Sequence, residues 1–188
     1  EKTIRDVFGL PLIRVTIAGT SLLGAFVASD GRRVAVPYII FPEEERKLVN
    51  AGVEFVKVGT NNTCLGNNIV VTAQGMVVNP EMEQPAVQEL SSFFGVPVHL
   101  LESQETTTVG SFIAHNGSRG LIGPEFTEDY VEKLSQQLGL HLTSGTVNMG
   151  SEQVASGVVV NSKGFLIGEL SGGHEVVNAD HAFGVDEG

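Results

Sequence analysis

One thiol, five histidines and a few asparagines beside glycine-rich stretches are the residues of this chain that could do chemistry. Cys64 is the only cysteine, which excludes an internal disulfide and fits a reducing compartment. To act as a nucleophile it would need a histidine poised beside it. A lone cysteine more often packs, and a structural role is expected of Cys64. His174 and His181 stand seven apart and could share a face of a last helix, but no third ligand follows at metal spacing. His99, His115 and His141 fall in or beside predicted strands, so no metal, cofactor or catalytic residue is expected. Gly117–Gly123 and Gly168–Gly173 lack both GxxxxGK[ST] and a strand-GxGxxG-helix frame, so nucleotide binding has no support. Asn161 reads as a turn residue, and Asn148 could cap its own loop. Asn67 reads equally as a local cap and as a binding residue. The acid run Glu43–Glu45 reads as a solvated helix start.

The elements that position these residues come from a repeat. Thr63–Pro80 (TCLGNNIVVTAQGMVVNP) is written three more times, as Thr20–Pro37, Thr107–Pro124 and Ser151–Glu169. The anchor residues Gly24, Gly66, Gly110 and Ala155 are 42, 44 and 45 apart. Pro37 follows its anchor by 13 residues, and Pro80, Pro124 and Glu169 follow theirs by 14. A period of about 44 is the signature of a solenoid, propeller or array. Five segments also stop at a glycine, at Gly9, Gly52, Gly95, Gly139 and Gly184, as helices do. Five helix ends but four hairpins make residues 1–9 the tail of a repeat whose strands are not in this sequence. The divisions are 1–9, 10–51, 52–95, 96–139 and 140–188, all within a single domain.

Each repeat is expected to hold a first strand (Leu12–Ile17, Val53–Val58, Val96–Leu101, Leu140–Thr143), then a hairpin, then a helix. The hairpins are Ala25–Ala28 with Arg33–Val36, Ile69–Thr72 with Met76–Val78, Ser111–Ala114 with Gly120–Ile122, and Gly157–Val160 with Phe165–Ile167. Asp30-Gly31, Asn116-Gly117 and Asn161–Gly164 supply the turns. Near-continuous Val/Ile runs suit strands covered on both faces. Pro42–Glu45 and Thr127–Asp129 open helices with acids at the positive end of the dipole, and Tyr130, Val131, Leu134 and Leu138 form one apolar stripe.

With 22 acids against 11 bases the formal charge is −11, which repels phosphate and disfavours DNA or broad RNA contact; a basic protein surface is the better partner. No signal peptide is legible, and apolar runs are strand-sized, far short of the ~20 residues of a membrane span. A cytoplasmic protein is expected.

In order along the chain, Thr16–Gly24 (TIAGTSLLG), Leu65–Asn67 (LGN), Asn79-Pro80, Gly145–Gly164 (GTVNMGSEQVASGVVVNSKG) and GELSGGHEVVNADHAFG resemble the translation initiation factor 6 family. Ala155 in place of the anchor glycine and Ser171-Gly-Gly173 depart from the family pattern. The resemblance implies the pentein fold: an α/β β/α-propeller of repeats about a pseudo-fivefold axis, here with its first repeat mostly missing. It also implies a steric, non-enzymatic function. Such a factor binds the large ribosomal subunit, mainly through the ribosomal protein uL14 near the sarcin–ricin loop, blocks joining of the small subunit and accompanies subunit biogenesis. A monomer without DNA or membrane partners is implied. The family's binding face carries over to Asn67, with Ala25, Ser111 and Ser156 as ring equivalents, and to Asn148, Glu152 and Gln153 nearby. Penteins also include guanidino-modifying enzymes, which need a cysteine–histidine pair, and scaffolds for other protein partners; these are the alternative readings.

Overall fold

Three times along the chain a β-hairpin is followed by a helix and then by a strand that returns parallel to the hairpin's second strand. The computed structural model describes residues 1–102 and 106–184 of the chain. The end of the fifth repeat, 185–188, lies outside the described residues. By contact the chain divides into two compact units, one of residues 13–110 and one of residues 1–12 with 111–188.

The chain opens with α1 (Lys2–Phe8). The 13–110 unit then runs α2 (Leu23–Phe26), β1 (Ala28–Ser29), β2 (Arg33–Pro37), α3 (Pro42–Asn50), β3 (Glu54–Val58), α4 (Leu65–Asn68), β4 (Ile69–Val71), β5 (Met76–Val78), α5 (Gln84–Phe94) and β6 (Val98–Leu100). The short helix α6 (Val109–Phe112) follows. In β1-β2-β3, Ala28 pairs antiparallel with Ala35, and Arg33 to Pro37 pair parallel with Glu54 to Val58. In β4-β5-β6, Ile69 pairs with Val78, and Met76 to Val78 with Val98 to Leu100. All residues of β4 and β5 are buried, as their unbroken apolar runs require. Helix α5 adds Ala86, Leu90 and Phe94, four apart and therefore on one face, to a core with Leu65, Met76 and Val78. Asn79 is buried beside it and needs partners: its Nδ2 donates to Asn68 Oδ1 at 2.7 Å, and its Oδ1 accepts from Glu81 N at 2.8 Å.

The other unit holds α1 with β7 (Ile113–His115), β8 (Arg119–Ile122), α7 (Glu128–Leu138), β9 (His141–Ser144), a 3₁₀ turn (Val154–Ser156), β10 (Val158–Asn161), β11 (Gly164–Ile167) and α8 (Gly173–Phe183). Sheet β7-β8-β9 repeats the plan, with Ile113 opposite Ile122 and Arg119 to Ile122 parallel to His141 to Ser144. Strands β10 and β11 pair from Val158–Ile167 to Asn161–Gly164. Leu134 and Leu138 of α7 are buried with Tyr130 and Val131 half-buried, so the apolar stripe faces inward. The five segment-ending glycines all adopt positive φ, between 61° and 71°, the conformation that made glycine the stop signal.

Two expectations fail locally. Leu12–Ile17 forms no ladder, and only a bridge between Ile17 and Thr20 is present. In each of the three-stranded sheets the strand after a helix pairs with the hairpin before that helix, and no hairpin precedes α1 in this sequence. Ala25 and Ser111 lie not in strands but in the one-turn helices α2 and α6, and β1 and β7 begin only at Ala28 and Ile113. The reason is close packing at the repeat glycine. A Cβ on Gly66 would lie 2.0 Å from the Gly24 carbonyl oxygen, and one on Gly110 would lie 1.9 Å from that of Gly66. The helical turn lays each of these glycines on the backbone of the turn before it.

A second device ties repeats together. The Arg33 guanidinium, at the end of the first hairpin turn, donates to the carbonyls of Phe93 and Phe94 at 2.6 Å each, at the C-terminus of α5. Asn116 Nδ2 donates to Phe183 O at 2.9 Å, ending α8, and Asn161 Nδ2 donates to Phe8 O at 3.0 Å, ending α1. These bonds satisfy carbonyls that a helix end leaves open. The turn of repeat two thus holds the helix of repeat three, four holds five, and five holds one.

Candidate interaction loops

The stretches TIAGTS (Thr16–Ser21) and TVNMGS (Thr146–Ser151) fold alike. Each closes on an antiparallel bridge, Ile17 with Thr20 and Val147 with Ser151. Each forces positive φ on residues with side chains: Ala18 (52°) in one, Asn148 (49°) and Met149 (65°) in the other. Such conformations cost energy and persist only where surroundings impose them.

A carboxylate from the first turn of a helix further along the chain, α3 for the first loop and α8 for the second, imposes them. Glu44 accepts from Ala18 N at 2.8 Å, Gly19 N at 2.9 Å and Phe41 N at 3.0 Å. Glu175 accepts from Thr146 Oγ1 at 2.8 Å, Met149 N at 3.2 Å, and Gly150 N and Gly172 N at 2.9 Å. Glu83, at the N-cap of α5, likewise accepts from the Thr60 hydroxyl and from Asn61 N at 3.1 Å in the loop before α4, where the backbone keeps ordinary φ. Glu44 is therefore buried, not part of a solvated acid run, while Glu43 remains exposed.

These bonds favour the ionised carboxylates. The Thr60 hydroxyl foremost pulls Glu83 down to about 2, and the Gly150 amide foremost pulls Glu175 down to about 2. Burial opposes the shift at Glu44, but hydrogen bonds from Thr16, Phe41, Gly19 and Ala18 outweigh it and its pKa is lowered. On β7, the buried Nδ1 of His115 has no hydrogen-bond partner among the described residues, and desolvation pushes that ring down to about 4. The signs combine on the acid side. His115 is neutral in the fold while an unfolded chain takes up a proton below about 6.5, so stability falls from there towards pH 4. The glutamates contribute above their unfolded value of about 4.5, and that contribution is lost as pH falls towards 2. Thermal melts across pH 7 to 3 are expected to show both legs, and His115→Leu is expected to flatten only the upper one; an unchanged upper leg in that variant would refute the assignment.

The expected contact residues divide by burial. Asn67 is half-buried on α4, its N–H donating to Cys64 O at 3.1 Å, and Ala25 takes the matching place on α2. Because Gly66 rests on Gly24, the structure brings Ala25 and Asn67 onto successive stacked turns. Ser111 occupies the matching position on α6 and is half-buried; Ser156, in the 3₁₀ turn, is exposed and donates to Gln153 O at 2.7 Å. Glu152 and Gln153 are exposed. Asn148 instead points its amide inward: Cβ atoms on Gly157 and Gly168 would meet it at 2.7 and 2.1 Å. It braces the loop, and the neighbouring Met149 presents itself, 80% exposed. Sequence reasoning passed over Met149 and Glu175 and took the buried Glu44 for a solvated residue.

Cys64 begins α4 and makes no hydrogen bond to a histidine among the described residues. Among the same residues no group of three His, Cys, Asp or Glu side chains could hold a metal. No described helix is long and apolar enough to cross a membrane.

What fold and site define is a mixed α/β repeat protein of several small sheets, whose elaborated features are loops held by carboxylates. The sequence profile of the eIF-6 family matches residues 1–182, and the chain belongs to that family. It is similar to translation initiation factor 6 of Pyrobaculum aerophilum, 28% identical over 184 residues that span 98% of this chain and 84% of that protein. It is also similar to the same-named factor of Methanosphaerula palustris, 28% identical over 98% of this chain and 83% of the relative. Eukaryotic translation initiation factor 6 of Neurospora crassa is 29% identical over 86% of this chain and 66% of the relative.

Proposed function

We propose that this protein is a translation initiation factor that binds the large ribosomal subunit and sterically keeps the small subunit from joining it. Membership of the eIF-6 family carries the reading. The formal charge of −11 supports a basic protein partner, such as uL14 near the sarcin–ricin loop, over direct grip on RNA phosphates. The turn-to-helix bonds that run from repeat two to three, four to five and five back to one support the pentein arrangement. The stacked turns carrying Ala25 and Asn67, the Ser111 and Ser156 positions and the 148–153 loop form the proposed contact set. The factor acts in the cytoplasm without catalysis, and also accompanies large-subunit biogenesis.

Co-sedimentation with purified large subunits, followed by addition of small subunits, tests this. The protein is expected to travel with the large subunit and to reduce joined particles. Asn67→Lys, which sets a cation against a basic partner, is expected to weaken binding about tenfold or more. A folded protein that stays at the top of the gradient would overturn the reading.

A further inference from the structure

Two hairpin turns share one four-residue frame, Asp30-Gly-Arg-Arg33 and Asn116-Gly-Ser-Arg119, and hold their helices by two chemical versions of one lock. In the first, Asp30 Oδ1 accepts from Arg32 N at 2.9 Å and Arg33 N at 2.6 Å. Asp30 Oδ2 pairs with the Arg33 guanidinium at 2.9 Å, and that guanidinium reaches the end of α5. In the second, Asn116 Oδ1 accepts from Arg119 N at 2.9 Å, and from Ser118 N and the Ser118 hydroxyl at 3.2 Å. Here the asparagine's own Nδ2 reaches the end of α8, and the Arg119 guanidinium lies against Gly184 at that same helix end.

We propose that Asn116 is a site of spontaneous deamidation in the folded protein, and that Arg119 keeps its aspartate product in place. The reaction needs an unhindered backbone nitrogen after the asparagine and a polarised carboxamide. Gly117 supplies the first: it is exposed, at φ +100°, with nothing within 4 Å of where a Cβ would stand. Its N–H has no hydrogen-bond acceptor among the described residues. The three donors on Asn116 Oδ1 supply the second, since they stabilise the charge that develops on that oxygen.

Gly117 N bonds to Asn116 Cγ, the Cγ–Nδ2 bond breaks, and Nδ2 leaves as ammonia with the proton from the Gly117 amide. Water then opens the succinimide at Cγ, returning a proton to Gly117 N and leaving a carboxylate at position 116. Opening at the other carbonyl gives isoaspartate, which lengthens the turn by one methylene. The aspartate sits where Asp30 sits in its own turn, with an arginine at the same spacing. Asn161 is the internal comparison. Its Oδ1 is clasped likewise, by Lys163 N at 2.9 Å and Gly164 N at 3.2 Å, but Ser162 follows it and its side chain hinders the attack.

The full chain, kept folded in mildly alkaline buffer at physiological temperature for weeks, is mapped by peptide mass spectrometry. Asn116 is expected to convert at least about tenfold faster than Asn161, because glycine alone leaves the attacking backbone free. An intact Asn116, or one converting no faster than Asn161, overturns the proposed site. In thermal melts, Asn116→Asp is expected to stay within about 2 °C of the unmodified protein, with Asn116→Ala lower by a further ~2–4 °C. Equal losses in the two variants would overturn the role of Arg119.

Discussion

Gly66→Ala is expected to be among the most damaging single-methyl changes this protein can suffer. The added carbon would lie 2.0 Å from the Gly24 carbonyl oxygen and 2.7 Å from that of Val27, both backbone atoms that cannot swing aside. Relief requires α4 to lift from α2, which strips contacts from the core around Leu65, itself fully buried. Overpacking of this kind costs about 3 kcal/mol or more, a melting temperature lower by roughly 6–12 °C in a domain of this size. Gly110→Ala, 1.9 Å from the Gly66 oxygen, is expected to match it. Gly24→Ala is the control. It occupies the same position in the repeat, yet nothing lies within 4 Å of its Cβ, so its cost is expected near zero or slightly favourable. Circular-dichroism melts of the three variants decide the matter. If Gly66→Ala melts within 2 °C of the parent, the stacking of turns is not a stabilising contact.

The same contrast shows what the sequence could reveal. Gly24, Gly66 and Gly110 are visible as a period, because a repeat preserves spacing; that two of them bear on a carbonyl and the third on nothing is decided by neighbours in space. Helix-ending glycines were legible because positive φ is a local backbone demand, met by the same residue each time. The hairpin turns at Gly31 and Gly117 were legible for the same reason. The one-turn helices α2 and α6 were not, since short apolar runs such as LLGAFVAS fit a strand as well as a helical turn. Asn116 and Asn161 read as ordinary turn residues and Arg33 as the start of a hairpin strand, but their further bonds reach 67, 153 and 60 residues along the chain. No local pattern carries that. Of the candidate site, the TIAGTS and TVNMGS loops were visible as motifs, while the inward turn of Asn148 was not. A nearly constant offset could have exposed the glutamates: Glu175 lies 29 residues after Thr146, and Glu44 lies 28 after Thr16.

Glu175→Ala tests whether that offset matters to the loop the chain presents. The substitution leaves Met149 N and Gly150 N without their acceptor and removes the partner of the Thr146 hydroxyl. Asn148 and Met149 are held at positive φ, so once released they are expected to relax towards ordinary backbone. Glutamine is not a conservative rescue: it has one acceptor oxygen where the carboxylate has two, and its amide group would face the loop's N–H donors. Hydrogen exchange reads the release directly. The Met149 and Gly150 amides are expected to exchange about 100-fold faster in Glu175→Ala, with β4 and β5 in the 13–110 unit unchanged. Glu152→Ala, an exposed acid in the next turn, is expected to leave both amides at parent rates. Binding to large ribosomal subunits separates structure from function. If the loop is a contact, Glu175→Ala weakens binding while Glu128→Ala, an exposed acid on α7 outside the contact set, leaves it at the parent level, even where both proteins remain folded. If the amides exchange at parent rates without the carboxylate, the loop's own turn chemistry holds it, and Glu175 is reduced to a cap on α8.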